Sequence, residues 1–138
     1  MGADAFIDSN VVIYLLGNDP EKANRAESLI QAGAICSVQV LNEVANVMRR
    51  KLAMNWSEVR EVLGLLNQLC KVKSLTVETH QKGIDLAERF SLSMYDAMIV
   101  ASALLAGCAT LWSEDMHDGL VVDGQLHISN PFGRLTGA

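Results

Sequence analysis

The sequence predicts an α/β domain built on a central, mostly parallel sheet of four to five strands flanked by helices. Three observations predict it. Apolar runs of strand length alternate with longer segments of helical period, the pattern of parallel strands joined by crossover helices. The 138 residues suit one domain with a proper core, and with half of them apolar but only 5% aromatic, that core is aliphatic. Two prolines, no repeat and no low-complexity tract leave no linker at which residues 1–138 would divide.

Each element has a local reason. Ala3 to Ile7 reads as the first strand, and Val11 to Leu16 as a short helix after it. Asp19-Pro20-Glu21 opens a helix, with Asp as N-cap and Pro at the first position, and Gly33 ends it just past Ala32. Ala34-Ile35-Cys36 is the second strand, and Ser37 can cap a third helix reaching Lys51 or Leu52. Ser57 is the expected cap of a fourth, Glu58 to Leu69. Cys70 to Leu75 is strand three, followed by a helix from about Thr79 to Phe90. Ser93-x-x-Asp96 resembles a capping box with Asp in the Glu position, opening a helix to Ala106 with Gly107 beyond it. Ala109 to Trp112 is strand four, and Asp123-Gly124 predicts a tight turn into a last strand, Gln125 to Ile128.

Four carboxylates sit at the edges of apolar segments. Asp8 follows Ala5-Phe6-Ile7, Glu43 lies within the apolar face of helix three, Asp96 is the only charge between Arg89 and Glu114, and Asp115 follows the strand-like Thr110-Leu111-Trp112-Ser113. Each has a bland alternative. Asp8 could cap the short helix, Asp96 could be only a capping residue, Glu43 could pair with Arg49 or Lys51, and Asp115 could be a loop acid. Topology argues against all four alternatives at once. Asp8 and Asp115 fall at the C-terminal ends of strands, where open α/β sheets build their sites. A desolvated carboxylate needs a cation or a proton, and four of them suggest a shared divalent metal. Oxygen ligands without paired His or Cys favour Mg²⁺ or Mn²⁺ over zinc. Such an ion can activate water and clamp a phosphodiester.

Composition narrows the classes further. The net charge of −5 is weak evidence against a polyanionic partner, because the four acids alone supply −4 and a bound cation would offset them. Cys36, Cys70 and Cys108 are widely spaced in apolar runs, which predicts buried reduced thiols and a cytoplasmic location. Acidic Asp4 and Asp8 stand where a signal peptide would be basic, and the longest uncharged apolar stretch, Ala97 to Trp112, has 16 residues, short of a membrane span. His80, His117 and His127 are too scattered for a zinc triad, and His117 reads as a solvated loop residue. No Gly-x-Ser-x-Gly elbow or phosphate loop competes.

The segments Phe-Ile-Asp8-Ser-Asn10-Val-Val, Ser37-x5-Glu43-Val-Ala, Tyr-Asp96-Ala-x-Ile-Val-Ala and Trp-Ser113-Glu-Asp115-Met resemble the acidic blocks of PIN-domain ribonucleases, more narrowly the VapC-type toxins of toxin–antitoxin pairs. The likeness runs from Phe6 to about Asp118. It implies a three-layer PIN-like fold and a Mg²⁺- or Mn²⁺-dependent endoribonuclease acting on an RNA substrate, silenced by a small antitoxin protein. By block, Asp8, Glu43, Asp96 and Asp115 would be the catalytic metal ligands. Asn10 and Ser113 would orient ligands or substrate, and Asp118 resembles a further acid of many members. Family members pair through helices, and helices two to four seem rich in apolar residues for a thin sheet (Ala26, Leu29, Ile30, Val59, Val62, Leu63, Leu66), so a homodimer is expected, with Arg49, Arg50 and Lys51 supplying phosphate contacts. The chain departs from a simple nuclease in lacking an obvious basic stripe. Two rivals are a housekeeping RNA-processing nuclease of the same fold and a non-catalytic binding module. A haloacid-dehalogenase-like phosphatase fits less well, because Asp8-Ser9-Asn10 lacks its second acid.

Overall fold

Residues 5–133 are described by the computed structural model, so the Ala3-Asp4 part of the expected first strand lies outside the described residues. The strands are β1 (Ala5–Ile7), β2 (Ala34–Ser37), β3 (Cys70–Lys73), β4 (Thr110–Trp112), β5 (Val121–Val122) and β6 (Leu126–Ser129). The helices are α1 (Ser9–Ile13), continued by a 3-10 turn over Tyr14–Leu16, α2 (Pro20–Gln31), α3 (Val38–Arg50), α4 (Trp56–Leu69), α5 (Val77–Phe90) and α6 (Met94–Leu105).

The strands form one sheet in the order β3-β2-β1-β4-β6-β5, parallel except for the β5–β6 pair. Six strands replace the expected four to five. The extra one, β5, has two residues, too few for any alternation to show. The Asp123-Gly124 turn forms as expected, with both residues at positive φ (54° and 65°) between β5 and β6. Chain direction reverses about β1, whose successors lie to either side: β2 on one, β4 on the other. Right-handed crossovers then put α1–α4 on one face and the α5–α6 hairpin on the other, giving three layers.

Local chemistry sets the helix boundaries and corrects three of the expected ones. Asn55, not Ser57, caps α4: its side chain accepts from Glu58 N–H at 2.8 Å while the Glu58 carboxylate accepts from Asn55 N–H at 2.8 Å. The same reciprocal arrangement between Thr76 and Thr79 starts α5 two residues early, which also ends β3 at Lys73. Asp8 caps α1, so that helix begins at Ser9 and not at Val11.

The core is aliphatic, with Phe6, Ile7, Val11, Val12, Ile99, Leu111, Leu126 and Ile128 all essentially inaccessible. Helix α6 is buried nearly all round, from Ala97 to Leu104 apart from Met98. Gly83 lets α5 approach it, since a Cβ there would lie 2.9 Å from Met98 Sδ. Ala26, Leu29, Ile30, Val59 and Leu66 are buried, and Val62 and Leu63 pack against the same core. These residues cover the sheet, so the apolar excess from which pairing of α2–α4 was expected is used within the chain. Cys36, Cys70 and Cys108 are buried, as expected, and none forms a disulfide among the described residues. No helix among the described residues is long and apolar enough to cross a membrane.

Candidate active site

The site forms where β1 and β4 part, at the sheet's switch point. Asp8 ends β1. Its backbone N–H donates to Trp112 O of β4 at 3.0 Å, its carboxylate Oδ1 accepts from Ser9 N–H at 2.7 Å, and its Oδ2 accepts from the Ser113 hydroxyl at 2.7 Å and more weakly from Asn10 Nδ2 at 3.4 Å. The residue is only 4% exposed and takes part in no salt bridge among the described residues. Burial pushes its pKa up to about 6, against the pull of Ser113 and Ser9, and the charges of Glu43 and Asp96 raise it further.

Glu43 reaches this centre from α3, whose opposite stripe (Val40, Val44, Met48) is buried. Ser9 Oγ donates to Glu43 Oε1 at 2.7 Å while lying 3.4 Å from Asp8 Oδ1, so it bridges the two acids. Gln39, one turn earlier on α3, donates to Glu43 Oε2 at 2.9 Å. The alternative pairing of Glu43 with Arg49 or Lys51 is not formed. Sequence reasoning missed both Ser9 and Gln39; the i, i+4 spacing of Gln39 and Glu43 was the available signal.

Asp96 sits in the first turn of α6, where Ser93 Oγ accepts from its N–H at 3.1 Å. No reciprocal capping box forms, and the Ser93 hydroxyl is the neighbour that favours the ionised form of the half-buried Asp96 carboxylate. Burial raises its pKa first, then the charges of Glu43 and Asp115, while Ser93 opposes them.

Asp115 is exposed and lines a cleft of about 550 Å³ together with Ser9, Asn10, Glu43 and Lys51. Asn10 and Ser113 both support the centre: Asn10 Oδ1 accepts from Glu114 N–H at 3.1 Å, and Ser113, fully buried, also accepts from Met116 N–H at 3.3 Å. Asp118 does not line the cleft; it accepts from Asn130 N–H at 2.8 Å and ties its loop to the end of β6. Glu114, also at the cleft, is neutralised by Lys22 Nζ at 2.8 Å and by the Tyr14 hydroxyl at 2.8 Å. Burial pushes Glu114 up, but those two partners outweigh it and hold the carboxyl below its usual range. The contrast is informative, because Asp8, Glu43 and Asp96 form no salt bridge among the described residues.

The donor set fits a hard divalent ion: carboxylate oxygens, a desolvated acid and mutual repulsion that a cation would relieve. Among the described residues, however, no three of His, Cys, Asp and Glu stand close enough to hold an ion as placed. The acids are electrostatic neighbours that have not closed on a common point.

Several solved structures share the fold. A toxin–antitoxin complex from Klebsiella pneumoniae aligns with a TM-score of 0.70 at 17% identity, over 92% of this chain and 97% of that one. DNA-bound VapBC from Salmonella typhimurium aligns at 0.70 and 18% identity, over 94% and 99%. VapC20 of Mycobacterium tuberculosis, a toxin that cleaves the sarcin–ricin loop, aligns at 0.66 and 16% identity, over 80% and 89%. At these identities the likeness is one of fold. No curated protein sequence matches the chain. The family model of the PIN domain matches residues 5–117, a span that contains Asp8, Glu43, Asp96 and Asp115, and the chain therefore belongs to the PIN domain family.

Proposed function

We propose that this protein is a divalent-metal-dependent endoribonuclease that hydrolyses RNA phosphodiesters, and that it is the toxin of a toxin–antitoxin pair. One observation carries the reading: Asp8 is a nearly inaccessible carboxylate that no salt bridge among the described residues compensates, while the charges of Glu43 and Asp96 act against its ionisation and that of Asp115 acts against Asp96. Structure alone gives no reason to maintain such an arrangement, whereas a Mg²⁺ or Mn²⁺ site requires it. Asp8, Glu43, Asp96 and Asp115 would hold the ion, with Ser9, Gln39, Ser113 and Asn10 fixing the carboxylates. A bound ion would supply activated water and charge neutralisation at the phosphate. Ser9 and Ser113 hold the Glu43 and Asp8 carboxylates by hydrogen bonds and serve to position them, so water would be the nucleophile; its attack on phosphorus would expel the 3′-oxygen, giving a 5′-phosphate and a 3′-hydroxyl. Membership of the PIN family and the toxin–antitoxin complexes among its structural relatives support the reading.

The decisive test is cleavage of RNA by the purified protein in Mn²⁺ or Mg²⁺ against EDTA, with the product ends identified. Cleavage that persists in EDTA, or a 2′,3′-cyclic phosphate product, would refute the metal mechanism. The partner is a small antitoxin whose Arg or Lys enters the acidic cleft and stands in for the ion through charge-assisted hydrogen bonds. Co-expression with the adjacent small open reading frame should abolish growth inhibition; persistent toxicity would favour a housekeeping RNA-processing role. Two copies of the chain pair in this reading through the exposed Leu65 and Leu69 of α4, 53% and 59% accessible, and a monomeric mass by light scattering at micromolar concentration would refute it.

A further inference from the structure

The polar face of α3 leads away from the acids as a continuous trough. Gln39, Asn42, Glu43 and Asn46 line one recess with Tyr95. Asn42 and Asn46 also line the next, about 330 Å³, with Ala45, Arg49, Arg50 and Trp56. The acidic end therefore shares walls with a basic, aromatic one. Glu43 to Arg50 is seven steps along α3, about 10 Å of rise.

Three features of this trough face solvent. Arg49, Arg50 and Lys51 are consecutive and exposed, and none forms an ion pair among the described residues. Their place at the end of α3 suits the helix dipole, but a dipole does not explain the ring beside them. Trp56 is 56% exposed, and the Arg49 guanidinium lies 4.4 Å over its ring, held there by a 2.9 Å bond from Nη1 to Met54 O. Tyr95, next to Asp96, is 68% exposed and shares its recess with Glu43. The acidic end thus holds one open aromatic ring, and the adjoining recess holds another beside a cation cluster.

Building on the nuclease reading above, we infer that this trough binds the RNA as an unpaired strand. Bases stack on Trp56 and Tyr95, phosphates run over Arg49, Arg50 and Lys51, and the scissile phosphate lies at the acids where the trough meets Glu43. A basic groove with interleaved aromatic rings is the recognition chemistry of single strands, and it depends on base faces that a duplex conceals. The whole chain is acidic, so this cluster is also what lets a polyanion approach the cleft in a defined direction.

The test is binding of a labelled ten-nucleotide oligouridylate in EDTA, followed by anisotropy and by quenching of tryptophan fluorescence. Trp56→Ala should weaken binding about tenfold or more, the effect of losing one stacking platform, and Trp56→Phe should restore most of it. Replacing Arg49, Arg50 and Lys51 with Gln should lower the slope of log K against log salt by about 2, at roughly 0.7 per phosphate contact on a single strand. A duplex of equal length should bind more weakly. Thermal melts of each variant confirm folding. Unchanged RNA affinity in both the Trp56→Ala and triple-Gln proteins would overturn the inference, as would equal affinity for duplex. Loss of antitoxin affinity with RNA binding intact would assign the surface to a protein partner and overturn it too. Cleavage in Mn²⁺ is read separately: wild-type protein that binds the strand through Trp56 but cleaves nothing refutes the nuclease and leaves the strand path standing.

Discussion

Asp8→Asn should make the metal-free protein more stable, and by an amount that depends on pH. The Asp8 carboxyl titrates at about 6 in the folded chain against 3.8 as the ordinary value, a difference of about 2.2. At 1.36 kcal/mol per unit, ionising this group in place costs the fold about 3 kcal/mol. The sign follows from linkage. Because the folded state holds the proton more tightly than the unfolded chain, the stability tied to Asp8 is fully present below pH about 4 and is lost as pH rises through about 6. Asparagine escapes that loss. It has one acceptor oxygen in place of two, so either Ser9 N–H or the Ser113 hydroxyl loses its present partner, a penalty of about 1 kcal/mol. The net gain at pH 8 is about 2 kcal/mol, roughly 5–8 °C in Tm for a domain of this size. It should vanish near pH 4.5, where the wild-type carboxyl is mostly protonated. The assay is circular-dichroism melting in EDTA across that range, repeated with about 10 mM Mn²⁺, which should raise the wild-type Tm and leave the variant nearly unmoved. A variant no more stable than wild type at pH 8, or a gain that does not change with pH, would refute the reasoning.

Three further outcomes are expected. Asp8→Ala, Glu43→Ala, Asp96→Ala and Asp115→Ala should each reduce RNA cleavage by orders of magnitude with an unchanged far-UV spectrum; a variant cleaving at the wild-type rate removes that residue from the site. Ser9→Ala and Gln39→Ala each take one hydrogen bond from Glu43, and with charged-group bonds near 1.5–3 kcal/mol the single-turnover rate should fall about tenfold or more, with Gln39→Glu worse than Gln39→Ala because it adds repulsion. Lys22→Met should destabilise the fold by about 1 kcal/mol, reduced at high salt because both partners are about a quarter exposed; a double-mutant cycle with Glu114→Gln that shows no coupling would deny the pair any role.

Much of the fold is local and therefore legible in the sequence. Pro20 after Asp19 starts α2, Ser37 and Ser93 cap α3 and α6, and Gly33 and Gly107 take the positive φ that ends α2 and α6 (106° and 77°). Each signal acts within one helical turn, so no distant residue is needed to read it. The same holds for Asp8 at the end of a strand and Asp96 in the first turn of a helix. Local readings failed where two signals compete at close range. Asn55 and Ser57 are both good caps, and only Asn55 has Glu58 three residues on. A two-residue strand such as β5 carries no period at all and exists because β6 is there to pair with it. What the tertiary structure decided is the state of each acid. Asp8 and Ser113 are 105 positions apart, and Lys22 and Glu114 are 92 apart. The parallel pairing of β1 with β4 brings both pairs together, burying Asp8 without a cation and giving Glu114 one. Asp118 likewise gains its partner from the fold, which sets Asn130 N–H against it. The sequence determines where carboxylates occur along the chain; which of them stay uncompensated depends on desolvation and charge pairing, and those are properties of neighbours that only the folded sheet supplies.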